Sequence, residues 1–244
     1  MPLVDTIIAS RRDWAPGLMS LTLAERASFR PGQFMNLGLQ LSDGFISRSY
    51  SLASAPGEPL EVLLSRVGQG ALTPALFDLA EGSPITLDPK PQGFFTFDYV
   101  PPHQQLWLLA TGTGLGPFLS MLRSGAAFER ARRVVLAHGA RGPAELAYRA
   151  ELEDLARTRG EAFVYVPVLS REPEQGLLAG RITGVLESGE LEAHAGGPIV
   201  AEDAHLMLCG NPAMIEQVTT QLQARGLRRH RQRVPGHITT EKYW

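Results

Sequence analysis

Hydrophobic and polar positions alternate along the first hundred residues and stop alternating after them. Leu3 to Ala9, Met19 to Leu23, Phe34 to Leu39, Ser49 to Ala53, Leu60 to Arg66 and Pro84 to Leu87 are short segments of near-twofold period. Such segments read as strands with one buried face. Pro31-Gly32, Ser42-Asp43-Gly44, Pro56-Gly57 and Glu81-Gly82 separate them, each a turn signal. Many short strands at regular spacing predict an antiparallel barrel or sandwich. One helix interrupts the series: Thr73 reads as its N-cap, Pro74 as its first residue, and Ala75 to Leu79 continue it.

After about Val100 the rhythm changes. Gln105 to Thr111, Val134 to His138, Phe163 to Leu169 and His205 to Cys209 are continuous apolar runs. Between and after them, Phe118 to Leu122, Ala144 to Thr158 and Ala213 to Ala224 have helical spacing. Continuous apolar strands alternating with helices predict a parallel sheet covered on both faces. The change falls near Pro101-Pro102. We expect domains at 1–100 and 101–236, with a tail at 237–244.

Composition narrows the class. The chain has 244 residues, 44% hydrophobic and 20% charged, with a formal charge of −2. That length suits two domains, and the charge gives no global field for nucleic acid or an anionic membrane. Cys209 is the sole cysteine, which excludes a disulfide framework and any cluster held by four thiolates of this chain. No apolar run reaches the ~18 residues of a membrane span, and Met1 to Asp5 lacks the basic and long apolar regions of a signal peptide. The expectation is a cytoplasmic protein, without a metal site.

Against that background a few stretches carry chemistry. Arg48-Ser49-Tyr50-Ser51 sits on or beside a strand, so Arg48 and Tyr50 point one way and Ser49 and Ser51 the other. A cation, a flat ring and two hydroxyls suit a ligand with a phosphate and a planar ring system; a half-buried strand with an amphipathic edge has the same composition. Gly70 to Thr73 opens the lone helix, and its backbone N–H groups suit an anion as well as simple capping. Thr111-Gly112-Thr113-Gly114-Leu115-Gly116-Pro117 joins the first parallel strand to its helix, where glycines admit a pyrophosphate; its spacing departs from the usual dinucleotide fingerprint. Arg141, Ser170-Arg171 and Arg181 follow the second and third parallel strands, where guanidinium groups can fork onto a phosphate such as the 2′-phosphate of NADP. Cys209-Gly210-Asn211-Pro212 ends the fourth, with Cys209 expected to be partly buried. Arg225, Arg228, Arg229, His230, Arg231 and Arg233 form a basic run that suits docking of an acidic carrier or a solvated helix end. The tail, His237 to Trp244, ends in two aromatics that exposure would leave wet.

Taken in order, Pro31-Gly32-Gln33-Phe34, the Arg48 to Ser51 tetrad, Gly70 to Thr73, Thr111 to Pro117, Cys209 to Pro212 and Glu241-Lys242-Tyr243-Trp244 resemble the bacterial ferredoxin–NADP reductases, or flavodoxin reductases, of the plant-type reductase family. The resemblance spans nearly the whole chain. It implies an antiparallel FAD-binding β-barrel followed by an α/β, Rossmann-like NADP-binding domain. It implies that Arg48 and Ala71, Leu72 and Thr73 bind the FAD pyrophosphate, and that Tyr50 stacks on the isoalloxazine. Ser51 would lie near flavin N5, with Ser49 beside it and Leu64, Ser65 and Arg66 along the cofactor. Thr113 would approach the flavin from the second domain. Tyr243 would cover the other flavin face and Trp244 the adenine. Thr111, Gly112, Gly114, Ala140, Arg141, Ser170, Arg171, Arg181, Cys209, Asn211, Pro212 and Ala213 would bind NADP. Ser51, Tyr50, Tyr243 and the carboxylate Glu241 would be the catalytic group.

The activity so implied is hydride transfer from NADPH to FAD, then single-electron transfer to ferredoxin or flavodoxin by a monomer. Two alternatives stay open: reduction of free flavin or another acceptor, and a redox-inactive flavin or nucleotide sensor.

Overall fold

The alternating first half folds as six antiparallel strands, and the apolar runs of the second half as a parallel sheet. The computed structural model describes residues 3–98 and 100–242. The chain divides into two compact units, Met1–Thr96 with Gly116–Ser124, and Phe97–Leu115 with Gly125–Trp244.

In the first unit β1 (Val4–Ala15), β2 (Leu18–Arg26), β3 (Phe34–Leu41), β4 (Gly44–Ser51), β5 (Pro59–Ser65) and β6 (Pro84–Gln92) lie in the order β4-β3-β6-β1-β2-β5. Just beyond β4, Leu52 bridges Val62, and the Ala53 N–H donates to the Glu61 carbonyl at 2.7 Å. The outer strands meet there and the sheet curls toward a barrel, while the outer edge of β4 itself stays unpaired. Ile8, Met19, Leu21, Leu37, Val62 and Leu87 fill the interior. The short helix α1 (Thr73–Phe77) adds Leu76 to that core. Its N-cap is Leu72, and Thr73 is already helical. The Thr73 hydroxyl is instead occupied by the preceding loop, accepting from the Val67 N–H at 2.9 Å.

The helix that follows the glycine loop, α2 (Gly116–Arg123), groups with the barrel unit. Phe118 packs at a tilt on Phe95 with centroids 5.7 Å apart. Arg123 donates to the Ala53 carbonyl at 2.9 Å and to the Glu61 carboxylate at 2.6 Å.

The second unit holds β7 (His103–Thr111), β8 (Ala131–Ala140), β9 (Phe163–Leu169), β10 (Leu178–Ala179), β11 (Ala204–Gly210) and β12 (Ile238–Lys242), all parallel, in the order β10-β9-β8-β7-β11-β12. Its helices are α3 (Ala126–Arg130), α4 (Arg149–Arg159), α5 (Ile182–Glu187), α6 (Glu190–Ala195) and α7 (Pro212–Ala224). One sheet face, with Trp107, Val135 and Val166, packs on Ile182, Val185, Ile215 and Val218 of α5 and α7. Burial on both faces is why these strands carry continuous apolar runs.

Two departures from expectation have local causes. The helix expected from Ala144 starts at Arg149, because Pro143 opens a separate 3-10 turn and Tyr148 adopts a left-handed φ of 59°. The segment expected as a tail is in part a strand: Ile238 to Lys242 pair with Leu206 to Gly210 as the sixth strand. Tyr243 and Trp244 lie outside the described residues. Among the described residues no helix is long and apolar enough to cross a membrane.

Candidate functional site

The tetrad occupies the last four residues of β4, which pairs with β3 and leaves its other edge unpaired from Gly44 to Ser51. Arg48 stands opposite Leu37 and Tyr50 opposite Met35; Ser49 and Ser51 stand opposite Asn36 and Phe34. Arg48 and Tyr50 therefore share the face of two core residues, and Tyr50 packs against the barrel core. Its hydroxyl is buried with no hydrogen-bond partner among the described residues. Burial pushes the phenol up to about 12, partly opposed by the nearby Arg48 guanidinium. Arg48 is exposed and donates to the Ser47 carbonyl at 2.7 Å. The Ser49 hydroxyl donates to Asn36 Oδ1 at 2.7 Å, and Ser51 is buried.

An open strand edge, an exposed cation, an anchored ring and an orphaned buried hydroxyl fit a ligand with a phosphate and a flat polar ring system. The end of β5 and the loop after it fit less uniformly. Leu64 and Leu72 put their side chains into the barrel core, so only their backbone is left to face a ligand. Ser65 is half-buried, and Arg66 and Ala71 are exposed.

In the parallel sheet, β7 is followed in the chain by β8 on one side and flanked by β11 on the other. The order of strands reverses there, and ligands of such sheets bind at the carboxyl ends beside the reversal. The loops after β7 and β11 interlock at this point. A Cβ on Gly114 would lie 2.4 Å from the Cys209 carbonyl oxygen, and one on Gly210 (φ 128°) would lie 2.3 Å from Thr111 Oγ1. Thr111 Oγ1 also accepts the Asn211 N–H at 2.8 Å. Gly112 is exposed at φ 53°, whereas Thr113 is buried. Asn211 Oδ1 caps α7 by accepting from Ala213 and Met214, with Pro212 inside the first turn. Cys209 is fully buried rather than partly so, and its thiol points to Glu241 Oε2 at 3.9 Å from the register position beside it.

Along the same ends, the Ala140 carbonyl receives both the Ser170 N–H at 3.0 Å and its hydroxyl at 3.1 Å. Arg141, Arg171 and Arg181 are all exposed. Arg141 faces Glu145 at 3.9 Å; Arg171 and Arg181 have no ion pair among the described residues. The structure thus brings Thr111, Gly112, Gly114, Ala140, Arg141, Ser170, Arg171, Cys209, Asn211 and Glu241 to one end of one sheet, with Arg181 just past β10.

The basic run does not join them. Arg229 bridges Ile238 at the start of β12, so the run lies at the amino end of the sheet. Four residues of strand, about 13 Å, separate that level from Lys242. Arg225 is paired with Glu192 at 2.7 Å. The sequence reading also missed Arg149, whose guanidinium holds Glu174 in the loop after Arg171. A separation of 25 residues leaves no local pattern to find.

Residues 108–220 match the family model described as the oxidoreductase NAD-binding domain. The flavodoxin/ferredoxin–NADP reductase of Escherichia coli (strain K12) is 40% identical over 236 residues, covering 96% of this chain and 95% of that protein. The ferredoxin–NADP reductase of Pseudomonas aeruginosa is 34% identical over 92% of this chain and 86% of its own length. The crystal structure of a ferredoxin NADP+ reductase from Neisseria gonorrhoeae, with bound FAD and NADP, superposes with a TM-score of 0.93 at 30% identity, covering 98% of each chain.

Proposed function

The chain belongs to the family of flavodoxin/ferredoxin–NADP reductases, and from that premise we propose that it takes hydride from NADPH onto FAD and passes single electrons to a ferredoxin or flavodoxin, acting as a cytoplasmic monomer. The observation that carries the reading is the tetrad itself: Arg48 and Tyr50 on an open-edged strand, with the Tyr50 hydroxyl buried and without a partner among the described residues. The neighbour solved with FAD and NADP bound has nearly the same backbone over nearly the same length.

Residues 1–100 are the FAD-binding part of this reading, 101–236 the NADP-binding part, and 237–244 the tail that returns to the flavin. Arg48 and the backbone of Ala71 to Thr73 would neutralise the FAD pyrophosphate. Tyr50 would lie flat on the ring system, and the Ser51 hydroxyl would stand near the hydride-accepting nitrogen, with Ser49 and Leu64 to Arg66 alongside. When bound, the flavin supplies the conversion of a two-electron donor into one-electron steps; the chain supplies binding, orientation and exclusion of water.

In the sheet unit, the interlocked turns at Thr111 to Gly114 and Cys209 to Ala213 would cradle the pyrophosphate of NADPH. Arg141, Ser170, Arg171 and Arg181 would take the adenosine end, the exposed Arg171 and Arg181 meeting the 2′-phosphate. Thr113 would approach the flavin. Tyr243 and Trp244 would cover flavin ring and adenine, and displacement of Tyr243 would admit nicotinamide. Glu241 would hold or release a proton beside the reacting atoms, with the buried Cys209 thiol beneath it.

The test is an absorption spectrum of the purified protein, repeated without oxygen after one equivalent of NADPH. A flavin spectrum that bleaches supports the reading, and assays against ferredoxin, flavodoxin and free flavin then rank the acceptors. A flavin spectrum that NADPH leaves intact would point to a sensor instead. No flavin in folded protein supplied with FAD would overturn the site assignment.

A further inference from the structure

Arg149 is the first residue of α4, and each of its three guanidinium nitrogens meets a carboxylate. Nη1 donates to Glu174 Oε2 at 3.0 Å, Nη2 meets Glu174 Oε1 at 2.9 Å, and Nε donates to Glu153 Oε1 at 2.6 Å. This is the two-pronged geometry in which an arginine fixes direction as well as charge. The hydrogen bond from Arg149 holds the Glu174 carboxyl below the usual carboxylate range.

Glu174 lies midway along the segment that runs from the end of β9, through Ser170 and Arg171, to β10 and Arg181. The segment is anchored at its start, where the Arg171 and Glu172 amides share the Arg141 carbonyl at 2.9 and 3.0 Å. It is anchored again at its end, where the Gly180 amide bonds the Leu169 carbonyl at 2.8 Å. Between those anchors Arg149 ties it to α4.

The backbone beside Arg149 is unusual as well. Tyr148 sits at φ 59°, the sole positive φ outside glycine among the described residues. A bulky side chain in that region is strained and persists only where its surroundings over-determine it. Tyr148 is buried, and its turn lets α4 begin with Arg149 against the loop.

We propose that Arg149 is a positioning residue for NADPH: by gripping Glu174 it fixes the 170–181 segment so that Arg171 and Arg181 are presented together to the 2′-phosphate. The proposal rests on the assignment of Arg171 and Arg181 made above. A guanidinium on a fixed segment loses less freedom on binding than one on a loose loop. The benefit falls on the ligand that carries the 2′-phosphate and not on one that lacks it. It also falls on binding rather than on turnover, because Arg149 does not touch the reacting end.

The test is calorimetric titration of the FAD-loaded protein with 2′,5′-ADP and with 5′-AMP, beside KM and kcat for NADPH and NADH. Arg149→Met is expected to weaken 2′,5′-ADP about tenfold and 5′-AMP less than about twofold, with kcat unchanged. Glu174→Gln, a half-buried change that keeps the side chain's shape, separates two accounts. Simple electrostatics predicts tighter 2′,5′-ADP, since an anion near the phosphate is gone; loss of positioning predicts weaker binding, and we expect the weaker. If both variants keep the wild-type ratio of the two affinities while Arg171→Ala collapses it, the proposal is overturned and the 2′-phosphate assignment stands. If Arg171→Ala and Arg181→Ala also keep that ratio, the assignment falls and takes the proposal with it.

Discussion

At the scale of single residues, the glycines of the two interlocked turns are not equivalent. Gly114 has no room: its missing Cβ would overlap backbone atoms of Cys209 and Gly210 at 2.4 to 2.7 Å, and backbone cannot rotate aside as a side chain can. Gly112 has open space and only a left-handed φ of 53° to accommodate. Gly114→Ala should therefore lower stability by about 1–3 kcal/mol, as overpacking does, and weaken NADPH. Gly112→Ala should cost about 1 kcal/mol, the left-handed penalty alone. Urea midpoints of the two variants check this; equal losses would mean that crowding at Gly114 is relieved by a shift of the loop. The sequence already marked this loop as a close-approach turn, because glycine after an apolar strand has few other uses. It could not tell which glycine is crowded, since the crowding atoms come from a strand about a hundred residues away. Thr73 was misread for a related reason: a hydroxyl near a helix start suits a cap, and here the preceding loop claims it.

At the scale of elements, what was legible follows how each strand is buried. The run expected at Phe163 to Leu169 is β9 residue for residue, because two buried faces leave no polar interruption. β1 was expected to stop at Ala9 but reaches Ala15. Its second half is polar and lies on the barrel surface, where Arg11 pairs with Asp13 and Arg12 covers the Trp14 ring at 3.7 Å. β12 was missed because four of its five residues, Thr239-Thr240-Glu241-Lys242, are polar and it forms the outer strand of the sheet. Buried strands also carry histidines. His138 lies in β8, 3.1 Å from the Tyr165 hydroxyl, and burial pushes it down to about 4. His205, in β11 against Thr239, is pushed down to about 3 by burial and by His103, His230 and His237 around it. Both are neutral in the folded chain, yet protonate near 6.5 once unfolded. Acid then favours the unfolded chain. The contribution of each is intact above pH 6.5 and is lost as pH falls toward 4 for His138 and 3 for His205. Between pH 6.5 and 5, before most carboxylates titrate, each should remove roughly 1–2 kcal/mol. Denaturant midpoints across that window check the slope. His205→Gln should flatten it, and an unchanged slope would show that His205 is charged in the fold.

At the scale of the whole molecule, the change of rhythm near residue 100 marks where barrel gives way to parallel sheet, but compactness does not follow the chain so simply. Contacts place Gly116–Ser124 with the barrel, and the cause is the Arg123 bond to Glu61 and the Phe118 contact with Phe95, pairings across more than twenty residues that periodicity cannot reveal. Charge placement shows the same limit. The basic run looked suited to steering a carrier, and a sequence has no way to say at which end of a sheet it lies. It lies at the amino end, about 13 Å of strand from the carboxyl-end groups, farther than the ~8 Å screening length at physiological salt. Changing Arg228, Arg229, Arg231 and Arg233 together to Gln should thus leave the KM for NADPH within about twofold at 0.15 M salt. The second-order rate with an acidic carrier should fall by no more than about threefold, the effect of a general change in net charge. Arg171→Ala in the same assays should raise the KM for NADPH strongly. If instead the fourfold variant loses tenfold or more with the carrier, and the loss disappears at high salt, the amino end of the sheet is where the carrier first meets this protein, and electrons must reach it from a surface that the carboxyl-end groups do not face.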